Sequence, residues 1–147
     1  MKISSNISYR EATHSNTAIR NGIENKPNDI QLQKMIDVAT YVFEPLRAYF
    51  HKPIRINSFF RCLELNKAVG GASKSQHING EAIDMDALHG VSNAQLFNYI
   101  KDNLDFDKLI WEYGTDKEPD WVHVSYRKGN NRKQVYKAVK GKGYIKY

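Results

Sequence analysis

The chain has 147 residues, of which 41% are hydrophobic and 26% charged, and it carries a formal net charge of +6. This size and composition favour one compact domain over residues 1–147 and exclude a disordered chain. The single cysteine, Cys62, excludes an internal disulfide and a cysteine-rich zinc finger, and no apolar run approaches the roughly 20 residues of a bilayer span.

Helices are predicted in the first part of the chain. Residues 1–12 show no regular pattern, whereas Ser15 offers a cap for a short helix within 17–23. Apolar residues then recur every three or four positions across 29–50, which predicts a helix of about six turns. Pro45 lies inside this helix and predicts a kink or break.

Strands are predicted mainly in the second part. Their patterns occupy 54–60, 81–87, 109–114 and 121–126, with edge pairing by 134–139 and 143–147. Short helices are predicted within 62–71 and 92–104, and a loop over 71–80. We therefore expect an α+β fold, with N-terminal helices packed on a mainly antiparallel sheet, and a basic C-terminal tail at about 127–147.

The segment SQHINGEAIDMD, residues 75–86, combines a histidine and two aspartates in an unusual mixture. If 81–87 and 121–126 are strands, alternation places Asp84 and His123 on the faces opposite the apolar residues, where they converge if the strands are neighbours. The turn-forming pair Asn79-Gly80 can fold His77 back over the strand.

Two histidines and one aspartate offer three ligands for zinc. Structural zinc sites usually close four positions, often with cysteine, whereas a three-ligand site keeps a position for water, as catalytic sites do. His77, Asp84 and His123 therefore predict a metal site, and we expect one Zn²⁺ per chain.

Two motifs carry a family resemblance. Residues 75–84 fit the pattern S-x-H-x-x-G-x-A-x-D at every fixed position, and residues 120–123 fit [DE]-x-x-H. Together they resemble the zinc D-alanyl-D-alanine carboxypeptidases and related phage endolysin peptidases, the VanX/VanY-like group. The resemblance covers roughly residues 8 to 126, and it implies His77, Asp84 and His123 as the zinc ligands.

The resemblance also implies the remaining roles. It implies Asp120 as the general base, and Arg61 as an arginine that binds substrate or stabilises the transition state. Many relatives have a Gly-Tyr-Arg-Ser-like sequence where this chain has 59–62, FFRC, so it departs from the family around Arg61. Ser75 and Trp121 are further candidates for the substrate site, although Ser75 also suits a hydrogen bond within the metal loop.

Several alternatives stay open. Asp120 lies three positions before His123 and would face away from the metal on a regular strand, but Pro119 places it on the turn into that strand. The rival residues are Glu112 and Glu118 as bases, Asp86 as a ligand, Cys62 as a thiol nucleophile and His14 near the cleft.

The predicted function is zinc-dependent hydrolysis of peptide bonds in bacterial peptidoglycan stems, as a D,D-carboxypeptidase or an endopeptidase such as a phage endolysin. The alternative is a non-catalytic zinc-containing module that binds wall polymer or nucleic acid. We expect a peptidoglycan peptide as partner, no specific nucleic acid, no membrane insertion and a monomer.

The first residues, MKISSNISYREATHS, contain no apolar signal region. We therefore expect a protein made in the cytoplasm that acts on the cell wall after lysin-like release. A secreted protein that had lost its signal would have the same sequence.

Overall fold

The computed structural model describes residues 1–147, which form eight strands and six α-helices. The strands are β1 (Lys2–Ser4), β2 (Ile7–Ser8), β3 (Ile54–Ser58), β4 (Ala82–Ala87), β5 (Lys108–Glu112), β6 (Trp121–Ser125), β7 (Gln134–Val139) and β8 (Gly143–Lys146). The helices are α1 (Tyr9–Thr13), α2 (Asn16–Arg20), α3 (Asp29–Val38), α4 (Glu44–Phe50), α5 (Leu63–Ala68) and α6 (Asn93–Asn103). None of the helices has the length and hydrophobicity needed to cross a membrane.

Six strands form one sheet in the order β3-β4-β6-β5-β7-β8. All neighbours are antiparallel except β5 and β7, which are parallel. The predicted α+β class and mainly antiparallel sheet are thus confirmed. The expectation that the helices are N-terminal holds only in part, since α6 lies between β4 and β5 and two short strands open the chain.

One face of the sheet carries the hydrophobic core. The inward side chains of β4 and β6 are fully buried and pack with α3, α4 and α6; they are Ile83, Met85, Val122 and Val124. The helices contribute Met35, Val42, Leu46, Leu96 and Ile100, which are also completely buried. Because strand side chains alternate, the polar residues between these apolar ones project from the other face, which the helices leave open.

The long apolar segment 29–50 is interrupted near its middle, as Pro45 predicts. A π-helical turn, Ala39–Phe43, joins α3 to α4, and Pro45 is the second residue of α4. Since proline has no N–H to donate and clashes with the preceding turn, the wider π turn accommodates it. The apolar stripe continues through the interruption and stays in the core.

The first 12 residues are regular, contrary to expectation. β1 and β2 pair as a small hairpin, followed directly by α1, whose capping box is formed by Ser8 and Glu11. The Glu44 carboxylate accepts hydrogen bonds from Ser4 and Asn6, which attaches the hairpin to α4. Strands of two or three residues are too short to show an alternating pattern, which explains why they were missed.

Residues 127–147, expected as a basic tail, contain two strands of the main sheet. β7 pairs with β5 along its length, and β8 forms the edge. The ring of Tyr147 lies 5.0 Å from that of Phe97. Arg132 donates two side-chain hydrogen bonds to the buried Asp107 carboxylate, at 2.9 and 2.8 Å. This segment therefore belongs to the folded body, and its edge pairing was predicted.

Candidate metal centre and catalytic cavity

Two of the predicted ligands face each other across neighbouring strands. β4 pairs with β6, and Asp84 lies directly opposite His123 in the register. His123 Nδ1 lies 2.8 Å from Asp84 Oδ1. The core-facing neighbours Ile83 and Val124 are fully buried, so burial of the apolar face fixes which way Asp84 and His123 point.

His77 approaches from the loop before β4. It lies in a 3-10 turn, Gln76–Asn79, which Ser75 caps and Gly80 ends in the left-handed region at φ +76°. A side chain at Gly80 would meet the backbone oxygen of Gln31 at 2.6 Å, so this position requires glycine for space as well as for φ. The turn places His77 Nε2 at 3.1 Å from Asp84 Oδ2.

The hydrogen bonds of His77 determine its tautomer. Its Nδ1 lies 2.7 Å from the carbonyl oxygen of Phe59, which can only accept, so Nδ1 carries the proton. Nε2 therefore keeps a free lone pair directed toward Asp84 and His123. A backbone carbonyl that accepts a hydrogen bond from a histidine and so orients its ring is typical of metal sites.

The three side chains form a compact donor set. Each offers one ligand atom, and these atoms all lie within 4.8 Å of one another. Burial alone raises the pKa of Asp84, but its electrostatic interactions and hydrogen bonds with the neighbouring rings of His77 and His123 outweigh burial and hold the pKa below its usual range. Two imidazoles and a carboxylate that stays ionised suit Zn²⁺, and no fourth protein ligand closes the site.

The donor set lies in the wall of a cavity of about 540 Å³. The loop 69–77 and Arg61 form one side of the cavity, and residues of β5 to β8 form the other. This volume falls within the range of about 300–1,000 Å³ that small-molecule sites occupy. The open face of the sheet thus carries both a metal-binding donor set and space for a substrate beside it.

Arg61 and Ser75 contact each other at the entrance to the metal loop. Arg61 Nη2 donates to Ser75 Oγ at 3.4 Å, and Ser75 Oγ also accepts from the backbone N–H of His77 at 3.2 Å. Arg61 Nε is buried without any hydrogen-bond partner. Burial lowers the pKa of Arg61, and the negative charge of Asp84 opposes this shift. Arg61 therefore keeps donors free for an anionic group in the cavity.

Glu112 is the carboxylate that shares the cavity with the ligands. It lies on β5 two positions after Ile110, the residue opposite His123, and hence on the same face as His123. It is 5% exposed, and its carboxylate forms no hydrogen bond or ion pair. Burial raises its pKa to about 7; the charge of His123 opposes the shift and that of Asp84 adds to it.

Asp120 lies at a different place. Its side chain is exposed and lines a neighbouring cavity together with Lys137 and Gly141, while Tyr113 borders both cavities. Its backbone N–H donates to the carbonyl oxygen of Glu112 at 2.9 Å, at the start of β6. Trp121, the next residue, is half-buried and lines the metal cavity.

The other candidates have structural partners elsewhere. Asp86 accepts hydrogen bonds from Asn57 and Asn93, both at 2.8 Å, so it is held away from the donor set. Glu118 accepts from the backbone N–H groups at the start of α6. Neither Cys62 nor His14 lines the metal cavity.

Tyrosines from the C-terminal strands complete the cavity and were absent from the predicted site. Tyr136 on β7 and Tyr144 on β8 line it, with Lys108 on β5. The strand patterns of 134–139 and 143–147 could be read from the sequence, but the parallel pairing of β7 with β5 could not. The alternation of side chains within β7 was the only sequence signal for the face on which Tyr136 lies, and it does not identify the neighbouring strand.

The geometry agrees with the comparison with protein families. The model of the peptidase M15 family matches residues 5–125, which include all three predicted ligands. No curated protein matches the chain. The resemblance seen in the two motifs is thereby confirmed, since this family comprises the zinc D-alanyl-D-alanine carboxypeptidases and VanX-like enzymes. The chain belongs to the peptidase M15 family.

Proposed function

We propose that the protein is a zinc-dependent peptidase that hydrolyses peptide bonds in the stem peptides of bacterial peptidoglycan. The observation that carries this proposal is the donor set of His77, Asp84 and His123, which stands in the wall of an open cavity in a member of a zinc-dependent peptidase family. His77 Nε2, a carboxylate oxygen of Asp84 and a ring nitrogen of His123 would hold the ion. Zinc bound there supplies a Lewis acid that polarises a carbonyl group and acidifies water.

The general base has two candidates, and the cavity favours Glu112. In hydrolysis, a carboxylate accepts a proton from the attacking water and passes it to the departing amine as the C–N bond breaks. Glu112 lies inside the cavity on the face of His123 and has no competing partner, whereas Asp120 lines the neighbouring cavity. Asp120 has the position that the family motif implies, so variants of Glu112 and Asp120 have to be compared.

Arg61 is proposed to bind the negative charge of the substrate. Its buried Nε has no partner, and only a long hydrogen bond to Ser75 engages its Nη2. A guanidinium with free donors suits a carboxylate or the oxygen that gains charge during attack on the carbonyl carbon. Ser75 is proposed to position Arg61 and the metal loop, and Trp121 to contact the peptide.

Cleavage of purified muropeptides tests the function. The zinc-loaded protein should release products whose masses identify the bond, and His123→Ala should release none. Elemental analysis should find one zinc per chain in the wild type and a large loss in His77→Ala and Asp84→Ala. Equal cleavage by wild type and His123→Ala, or full zinc retention in both ligand variants, would refute the proposal.

A matched pair of variants separates the two bases. Glu112→Gln should lower kcat by about 100-fold or more with zinc content unchanged, because the amide cannot accept the proton. Asp120→Asn should retain most of the activity. The reverse pattern would assign the role to Asp120. Loss of zinc from Glu112→Gln would show that Glu112 supports the metal site instead.

A non-catalytic zinc module is the second candidate. The net charge of +6 favours anionic polymers such as wall polymer or nucleic acid. An unpartnered carboxylate buried beside the donor set has no use in such a module, because burying it costs stability. Salt-sensitive binding to wall polymer or DNA, without hydrolysis of any muropeptide, would favour the module.

The endolysin role is part of this proposal. Purified protein added to permeabilised cells should then lower the turbidity of the culture, because peptide cleavage opens the wall, and His123→Ala should not. Turbidity that falls equally with both proteins would show that lysis does not depend on this site.

A further inference from the structure

The C-terminal strands β7 and β8 lie outside the part of the chain that the family model matches, which ends at residue 125. They nevertheless belong to the same sheet as β4 and β6, the strands that carry Asp84 and His123. Residues directly opposite each other in neighbouring strands project to the same side of a sheet. The strand register therefore shows which side chains of β7 and β8 share a face with Asp84 and His123.

One row of paired residues runs from the metal ligands into β7. Asp84 is opposite His123, His123 is opposite Ile110, and Ile110 is opposite Tyr136. Tyr136 is therefore on the ligand face, two strands from His123, or about 10 Å at the usual strand spacing. Its half-buried ring lines the same cavity as the ligands.

The next row brings Tyr144 toward the proposed base. Trp121 is opposite Glu112, Glu112 is opposite Ala138, and Ala138 is opposite Tyr144. Ala138, the residue between them, has only a methyl side chain, so no large side chain on β7 separates Glu112 from Tyr144. Partial burial and nearby negative charge, chiefly that of Glu112, raise the pKa of Tyr144.

The chemistry of this wall suits one kind of ligand. Tyr144 is 64% exposed, and neither Tyr136 nor Tyr144 forms a side-chain hydrogen bond, so both rings and hydroxyls are available. Lys108 lies on the same face as Ile110, lines the cavity and has no ion-pair partner. The two phenol groups can pack against and donate to a peptide, and the Lys108 ammonium group, which lines the same cavity, is complementary to a carboxylate on that peptide.

We propose that Tyr136, Tyr144 and Lys108 form a substrate subsite, which binds a peptide residue with a free carboxylate next to the metal centre. The subsite rests on the proposed peptidase function. In this proposal, Tyr136 and Tyr144, which lie beyond the family match, help to select the substrate. The metal ligands and Glu112 carry out the hydrolysis.

The test compares two peptides with wild type, two test variants and two control variants. The peptides are a stem peptide with its side carboxylates free and the same peptide with those carboxylates amidated; both keep the scissile bond. Tyr144→Ala should raise KM for both peptides about five- to tenfold with kcat nearly unchanged, since only binding contacts are lost. Lys108→Met should raise KM about tenfold for the free carboxylate alone.

Matched controls exclude trivial causes. Tyr49→Ala removes a tyrosine of similar exposure, 58%, on α4 and should leave KM unchanged. Lys74→Met removes an exposed lysine of the loop 69–77, which also lines the cavity, and should preserve the preference for the carboxylate. Zinc content equal to wild type shows that each variant is folded at the metal centre.

Three results would overturn the subsite. They are an unchanged KM in Tyr144→Ala, an equal KM for both peptides in wild type, and a preference abolished by Lys74→Met but not by Lys108→Met. Each can occur while wild type cleaves muropeptides, so the subsite can fail while the proposed function stands. If wild type cleaves neither peptide nor any muropeptide, the proposed function fails, and the subsite fails with it.

Discussion

Asp107 connects the metal-bearing loop to the C-terminal strands, and its replacement by asparagine tests how much this connection stabilises the fold. The residue is completely buried, and its carboxylate accepts two side-chain hydrogen bonds from Arg132, at 2.9 and 2.8 Å. It also accepts one from Gln76 Nε2, at 2.9 Å, next to the ligand His77. Asp107→Asn keeps the shape but leaves one acceptor oxygen and no charge.

The lowered pKa of Asp107 gives the size of the stability that this carboxylate contributes. The hydrogen bonds from Arg132, and to a lesser extent the one from Gln76, lower this pKa from 3.8 to about 2, although burial opposes the shift. At about 1.4 kcal/mol per pKa unit, this corresponds to about 2.5 kcal/mol of stability at neutral pH. That value is an upper bound, because the Arg132 side chain is 45% exposed and solvent screens the pair.

The sign of the pH dependence follows from the lowered pKa. The stabilisation is fully present above the unfolded-state pKa of 3.8 and disappears as pH falls toward about 2. Urea unfolding of the metal-free protein should therefore show Asp107→Asn less stable than wild type by about 1–2 kcal/mol at pH 7, with the difference roughly halved at pH 3.

The control is Asp116→Asn, which removes a fully exposed carboxylate that pairs with Lys137. It should leave the unfolding midpoint unchanged, since exposed pairs contribute little. A difference between wild type and Asp107→Asn that is absent at pH 7, or the same at pH 7 and pH 3, would refute the reasoning.

Three further outcomes are expected. Gly80→Ala should lower both stability and zinc affinity, because its Cβ would meet the Gln31 carbonyl oxygen at 2.6 Å. Thermal unfolding with and without zinc measures both quantities. An unchanged zinc affinity would show that the loop adapts. Leu96→Ala should cost about 2–5 kcal/mol in urea unfolding, since this completely buried side chain leaves a cavity, and a loss below about 1 kcal/mol would contradict its place in the core. Glu44→Ala should increase hydrogen exchange in the N-terminal hairpin, including Asn6, and leave the exchange of the main sheet unchanged.

Local sequence patterns were enough to predict that His77, Asp84 and His123 lie together. Alternation in 81–87 and 121–126 separates Asp84 and His123 from their apolar neighbours, and Asn79-Gly80 predicts the turn that brings His77 back. The cap at Ser15 and the break near Pro45 were readable for the same reason: each depends on the chemistry of a few adjacent residues. The two-residue strand β2 was missed, because a pattern needs more residues than it has.

The sequence by itself determined the faces on which the ligands lie and the family to which the chain belongs. Only the tertiary structure decided that β7 lies beside β5, that Glu112 lines the metal cavity while Asp120 lines its neighbour, and that Tyr136 and Tyr144 form the far wall. The physical reason is that side-chain alternation is a property of a single strand. The lateral order of strands depends instead on how all apolar faces are buried together, and no short stretch of sequence records that.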